Sequence, residues 1–386
     1  MLISGAGVAG PTLAFWLARH GFRPTVVERA QEQRSSGNPV DVRGAAVRVA
    51  ERMGVLARLR AAATQVPGLT FVTSSGHRIG PLALGRPRGD ELEVPRADLA
   101  TVLCDAARDD AEFLFDDSVT ALHQDATGVD VTFDRAAPRR FDLVVGADGV
   151  HSAVRGLVFG PEAGYVRHLG LYLAALPLHR PATDPNAVVM YNTPGRAVAV
   201  HPVRGDAGAA FIFRGPAIPG LDHRDMGCHK QVVLDAYRDG DWALPDVPDL
   251  LDRLRAAPEV YFHSVSQVRL PAWSQGRVAL LGDAAASVSL FGDGSSLAIV
   301  GARTLAEAIA ATPDDHRTAF HAYEKQHRAL ANAKHRGYHA AGALLVPATH
   351  TGITVRNLAA RLFPRSNSSR VSTSTKRHEG RRREEG

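Results

Sequence analysis

The chain has 386 residues, enough for two domains or one large interleaved one. Apolar residues make up 45% and charged residues 22%, the balance of an ordinary globular protein, and no apolar run reaches the roughly 18 residues of a membrane-spanning helix. Much of the formal charge of +5 lies near the end, in Lys376, Arg377, Arg381, Arg382 and Arg383, so it does not point to a nucleic-acid partner. Cys104 and Cys228 are far apart and near no histidine cluster of ligand spacing, which predicts buried thiols rather than a disulfide or a metal pair. With no basic, apolar leader visible, the expectation is a cytoplasmic protein without a metal.

The first apolar run, Leu2-Ile3-Ser4, turns at Gly5, passes Gly7 and Gly10, and continues as a helix with Leu13 and Leu17 on its apolar face. Phosphate binding explains that spacing. Gly5 allows the tight turn, Gly7 lets backbone approach a pyrophosphate, and Gly10 lets the helix pack close to the strand. The helix start offers free N–H groups and a positive dipole end. A second strand, Thr25-Val26-Val27, ends on Glu28, placed to accept hydrogen bonds from a ribose.

Residues 34–39 are a loop by composition. A helix over 45–62 is interrupted at Met53-Gly54, and strands at 69–72 and around 77–79 form a hairpin about Ser75-Gly76. Pro95-Arg96-Ala97-Asp98-Leu99 opens another helix, strands follow at 113–119 and 128–133, and a buried strand leads into Gly146-Ala147-Asp148-Gly149. Between about 165 and 262 the period changes toward 2, giving a sheet suited to covering a substrate. The nucleotide pattern returns at Val278-Ala279-Leu280-Leu281-Gly282-Asp283, followed by a long helix over 295–311. Three apolar strands thus deliver an acid at their carboxyl ends: Glu28, Asp148 and Asp283. An N-cap role accounts for any one of them alone, but poorly for all three in this order.

These three motifs resemble the FAD-dependent aromatic hydroxylases of the p-hydroxybenzoate hydroxylase type, and most nearly their tetracycline-modifying and polyketide-tailoring branch. The resemblance covers residues 1–363. It implies an α/β fold: a discontinuous Rossmann-like FAD-binding domain with an inserted β-sheet substrate domain and a C-terminal helix. The FAD-binding parts would be residues 1–68, 96–164 and 266–330. Substrate-domain strands would occupy 69–95 and 165–265, a helical segment 331–363, and a disordered basic tail 364–386.

On the same ground Gly5, Gly7, Ala9, Gly10, Glu28 and Arg29 would hold the ADP half of FAD. Asp148 and Gly149 would serve FAD and the nicotinamide cofactor, while Gly282 and Asp283 would meet the ribityl or pyrophosphate region. Arg96 matches the family arginine that contacts FAD, Asp41 and Arg43 the loop near the flavin, and Arg34 a position linked to NADPH. Val119 joins the cofactor-binding set. The family segment after the third motif reads Gly-Asp-Ala-Ala-His with prolines before Gly-Gln-Gly. Here, over 286–296, the His and Pro are absent and Asp293 replaces the Gln, although the amides of Gly294 and Ser295 at the next helix start could still face the flavin.

The implied reaction uses NADPH (or NADH) to reduce FAD and passes oxygen from dioxygen, through a flavin C4a-hydroperoxide, to an aromatic or polyketide-like substrate. Met190, Tyr191, His201, Phe211 and Phe213 are candidate substrate contacts, with His201 a candidate base. Such residues alternating on strands equally suit a sheet core. A flavin oxidase or dehydrogenase on the same fold, and a non-catalytic small-molecule-binding relative, stand as alternatives. The expected assembly is a monomer or homodimer.

Overall fold

Short apolar strands buried on both faces build a parallel sheet, the arrangement such runs favour. The computed structural model describes residues 1–31, 39–64, 68–82, 91–203, 205–238, 246–287, 293–335 and 338–362. Leu2–Ser4 lies inside a six-stranded sheet, flanked by Thr25–Glu28 and then Glu112–Phe115 on one side. On the other side come Val144–Gly146, Val278–Leu280 and the edge strand Ser274–Gln275, which alone runs antiparallel. Residues remote in sequence therefore complete one sheet. Ser4, Gly146 and Leu280 stand side by side in register, so the three glycine-bearing turns leave the sheet at the same edge.

Helix Ala9–Arg19 packs between Arg96–Ala107 and the long helix Asp293–Ala311. The helix expected over 45–62 is two, Ala45–Arg52 and Leu56–Ala62, separated at Gly54, which has φ +76°. Strands Val119–Gln124, Val129–Phe133 and Arg139–Phe141 form an antiparallel meander.

The second layer is a seven-stranded sheet in the order Tyr261–Val268, Val166–Pro177, Asp206–Arg214, Arg196–Val203, Val188–Thr193, Leu69–Val72, Arg78–Leu82. Its one parallel pair is Val188–Thr193 with Leu69–Val72. Leu92–Pro95 does not join it but pairs with Pro39–Val42 in a separate ribbon. Two helices, Met226–Tyr237 and Asp246–Ala256, lie within the stretch read as sheet. Their signals are in the sequence: Asp225 caps the first by accepting from the Cys228 amide, and Val233 with Tyr237, then Val247, Leu250 and Leu254, recur at helical spacing. The period-2 runs on either side had masked them.

Those helices cover the outer face of the sheet. The inner face, carrying Phe71, Leu171, Met190, Ala199 and Ile212, packs on Leu345, Val346 and Ala360 from the end of the chain. In place of one C-terminal helix the chain forms His316–His335, Tyr338–Leu345 and His350–Leu362. Polar groups of the sheet hold the second of these by its open carbonyl end: Asn192 Nδ2 donates to Leu345 O at 2.8 Å and Arg214 Nε to Val346 O at 2.7 Å. The last helix is held by Arg356, whose buried guanidinium lies 3.6 Å from the Phe71 ring centroid and donates to Asn192 Oδ1 at 2.6 Å. Burial lowers the Arg356 pKa to about 10. The basic tail from 364 lies outside the described residues.

Candidate functional site

At the first turn, Gly5 adopts φ +106°, and a Cβ there would sit 2.5 Å from Ala147 O. A Cβ on Gly10 would lie 1.9 Å from Gly5 O, so only glycine lets the helix close onto its own turn. Gly7 differs, since a Cβ there would meet nothing within 4 Å. The helix start receives no side-chain cap at Val8 and carries no acid in its first turn. An open, uncapped glycine turn on a helix N-terminus fits a phosphate. Glu28 lies across it, accepting from Ala6 N at 2.8 Å and Ala30 N at 3.0 Å, which fixes its carboxylate beside the cradle. Arg29 is exposed next to it. Val119 is buried at a strand start two residues after Asp117, whose amide donates to Glu28 O.

The second turn packs directly on the first, with Ala147 N donating to Ser4 O at 2.7 Å. Asp148 accepts from Ser152 Oγ and, at 3.1 Å, from Val154 N, so it secures the start of helix Ala153–Phe159. Burial raises its pKa, and these donors oppose the rise. Gly149 has φ +84° and open space beside it.

The third turn meets the first at Gly282, where a Cβ would approach Ala9 Cβ to 3.2 Å. Burial pushes the pKa of Asp283 up, and the Arg96 guanidinium holds it down. Tyr261 and His263, on the strand bordering this site, share the neighbourhood: Arg96 acts on both, and Asp283 on Tyr261. Burial raises the Tyr261 pKa and lowers that of His263 to about 4. Neither was singled out from sequence, because an alternating strand says nothing about which face meets another domain.

Asp41 and Arg43 form an ion pair at 2.8 Å. Ser296 joins their loop to the long helix, its Oγ donating to Asp41 O at 2.8 Å and accepting from Arg43 N at 2.9 Å. Gly294 and Ser295 are half-buried in that helix's first turn, and Gly294 borders a cavity of about 10 Å³ also lined by Asp283 and His327. Arg34 and the altered segment from 288 to 292 lie outside the described residues.

Arg155 ties the second motif to the third. Fully buried, it donates to Val150 O at 2.5 Å and to Ala284 O at 3.2 Å. Sequence alone assigns it no role, since only the fold shows that Ala284 is within reach.

The candidate substrate residues divide between the two faces. Met190 lies on the inner face. Tyr191, Phe211 and Phe213 point outward into the core beneath Val233 and Tyr237, a correction that follows from the two-residue alternation of strands. His201 is also corrected as a base. It is buried with Nδ1 unpartnered, and burial lowers its pKa to about 4, well below what a general base at neutral pH needs.

Like His201, His327 is buried and held at about 4, against roughly 6.5 in an unfolded chain. The unfolded state therefore binds more protons between these values. The contribution of the two neutral histidines is complete above pH 6.5 or so and is lost as pH falls toward 4, at up to about 2.7 kcal/mol per pH unit. Melting temperature should fall over this window, and more gently in His201→Leu. An identical pH profile for the variant would refute that role.

Three strand ends on one glycine-lined edge, covered by a largely antiparallel sheet, define a dinucleotide-binding oxidoreductase. The sequence pattern of the FAD binding domain family matches residues 1–336. The chain is 38% identical over 340 residues to an uncharacterised protein of Mycobacterium tuberculosis, covering 84% of this chain and 89% of that one. It is 32% identical over 342 residues to a flavin-dependent monooxygenase of Legionella longbeachae, covering 87% of each. Among solved structures, tetracycline destructase Tet(51) superposes with TM-score 0.80 at 28% identity, over 94% of this chain and 95% of that one. Klebsiella pneumoniae HpxO complexed with FAD and uric acid shares the fold, with TM-score 0.70 at 21% identity over 94% and 92% of the two chains. The chain belongs to the FAD binding domain family and is an FAD-dependent monooxygenase of the aromatic hydroxylase type.

Proposed function

We propose that this monooxygenase uses NADPH (or NADH) and dioxygen to hydroxylate a polycyclic aromatic or polyketide-like molecule, antibiotics included. The observation that carries this reading is the convergence of Arg96, Asp283, Tyr261 and His263, where the cofactor edge meets the inner face of the antiparallel sheet. Likeness to a tetracycline destructase over nearly the whole chain supports the substrate class. Two cysteines outside any disulfide, one of them buried, fit a reducing cytoplasm.

Bound FAD supplies the electron transfer and oxygen activation. The chain's own part is positioning. Gly7 and the uncapped start of Ala9–Arg19 would receive the pyrophosphate, and Glu28 the ribose. Asp283 and Arg96 would hold the ribityl and flavin region, and the amides of Gly294 and Ser295 at the next helix start would contribute donors to it. The sheet's inner face and the C-terminal helices would keep water out of the cofactor site.

Purified protein should show flavin bands that bleach with NADPH in the absence of air and recover in air, with label from dioxygen found in the product. Lack of flavin even after FAD is added would overturn the proposal. The altered segment 286–296, which lacks the family His and Pro and has Asp293 where the family has Gln, favours an oxidase or dehydrogenase as the second reading. It predicts peroxide and unlabelled product from the same experiment. Asp283→Ala should weaken FAD binding at least ~10-fold, about 1.4 kcal/mol, and normal flavin content in that variant would remove Asp283 from the site.

A further inference from the structure

Glu162, in the short turn Glu162–Gly164, gathers two imidazoles from separate parts of the fold. His151, two residues beyond Gly149, places Nδ1 at 2.9 Å from Glu162 Oε1. His223, in the loop before helix Met226–Tyr237, places Nε2 at 3.9 Å from the same oxygen. The three ligand atoms all lie within 4.8 Å of one another, and the two rings stack with centroids 3.4 Å apart. Arg155 Nη2 approaches the other carboxylate oxygen at 3.3 Å and so orients the group from behind, as outer partners do at metal centres.

We propose that His151, Glu162 and His223 form a binding site for a divalent transition-metal ion of the zinc class. A tetrahedral zinc with bonds of about 2.1 Å holds its ligand atoms roughly 3.4 Å apart. The separations of 2.9 and 3.9 Å fall on either side of that value, and the two stacked rings, 25° apart, must swing out of their stack for both nitrogen lone pairs to meet at the ion. Two imidazoles and one carboxylate suit zinc, cobalt or nickel, whereas calcium and magnesium seek oxygen donors. All three side chains are partly exposed, between 27% and 38%, which gives an ion a path from solvent and leaves a fourth position for water. The ion would tie the turn that carries Asp148 to the loop leading into the outer helices, joining the cofactor sheet to the antiparallel sheet. This site is independent of which molecule the enzyme hydroxylates.

The test uses full-length, FAD-loaded protein stripped of metal and titrated with zinc by equilibrium dialysis. Cobalt is added in parallel, because its tetrahedral ligand-field bands lie to the red of flavin absorption. One zinc per chain is expected, together with a rise in melting temperature. His223→Ala and His151→Ala should each bind at least ten-fold more weakly, while His77→Ala, on an exposed turn, should bind as the parent does. Flavin content of His223→Ala, expected to be unchanged, verifies that the variant is folded. Absence of stoichiometric binding, or equal affinity in His223→Ala, would overturn the proposal.

Discussion

Gly7→Val should fold with nearly the parent melting temperature and fail to retain FAD, whereas Gly10→Ala, a smaller change three residues away, should compromise folding itself. The contrast follows from what each new Cβ meets. At position 7 there is open space and no left-handed backbone, so the protein alone tolerates the side chain. Where phosphate must approach the main chain it does not, and an affinity loss of about 100-fold, near 2.7 kcal/mol, is expected. At position 10 the new atom would lie 1.9 Å from the carbonyl oxygen of Gly5, inside any allowed contact and against backbone that cannot rotate away. Overpacking of this kind costs ~3 kcal/mol or more and should lower the melting temperature by roughly 5 °C or more. Thermal melts of the flavin-free proteins, set beside flavin titrations, separate the two effects. Similar melts for both variants would show that the turn is not packed as described.

Arg155→Leu should be the most damaging single change outside the glycine turns. The guanidinium is fully buried and spans carbonyls of two different motifs, Val150 O and Ala284 O, while also facing Glu162. Burial lowers its pKa, and the charges of Glu162 and Asp148 counteract that. Its loss leaves those carbonyls without their donor, and breaking such a buried arrangement costs about 3–5 kcal/mol. Arg155→Lys should recover only part of it, because one ammonium cannot reproduce the planar fork that reaches both turns. Chemical denaturation measures the stability, and flavin content measures whether the Asp148 and Asp283 turns keep their spacing. A stability loss below about 1 kcal/mol in the leucine variant would rule out this bridging role.

The nucleotide-binding architecture was legible because its rules are local. Gly5, Gly7 and Gly10 report backbone positions that side chains would block, and short buried strands ending in Glu28, Asp148 and Asp283 carry their own periodicity. The helices Met226–Tyr237 and Asp246–Ala256 were equally local yet passed unread, since they sit inside a stretch dominated by alternating strands. Candidate substrate residues were the weakest inference. Alternation separates Met190 from Tyr191 but gives no sign of which face is covered by helices and which looks toward the cofactor edge.

Sequence alone thus determined the three turns and the flavin chemistry they resemble, because each turn depends on residues within a few positions of one another. Tertiary structure decided the rest. It set Arg155 between two motifs separated by more than a hundred residues, and turned Phe211 and Phe213 away from the inner face. It also gathered His151, Glu162 and His223 around one carboxylate oxygen, and brought Tyr261 and His263 beside Arg96. Those placements depend on how two sheets pack against each other, and packing is fixed by the summed burial of both faces rather than by any pattern along the chain.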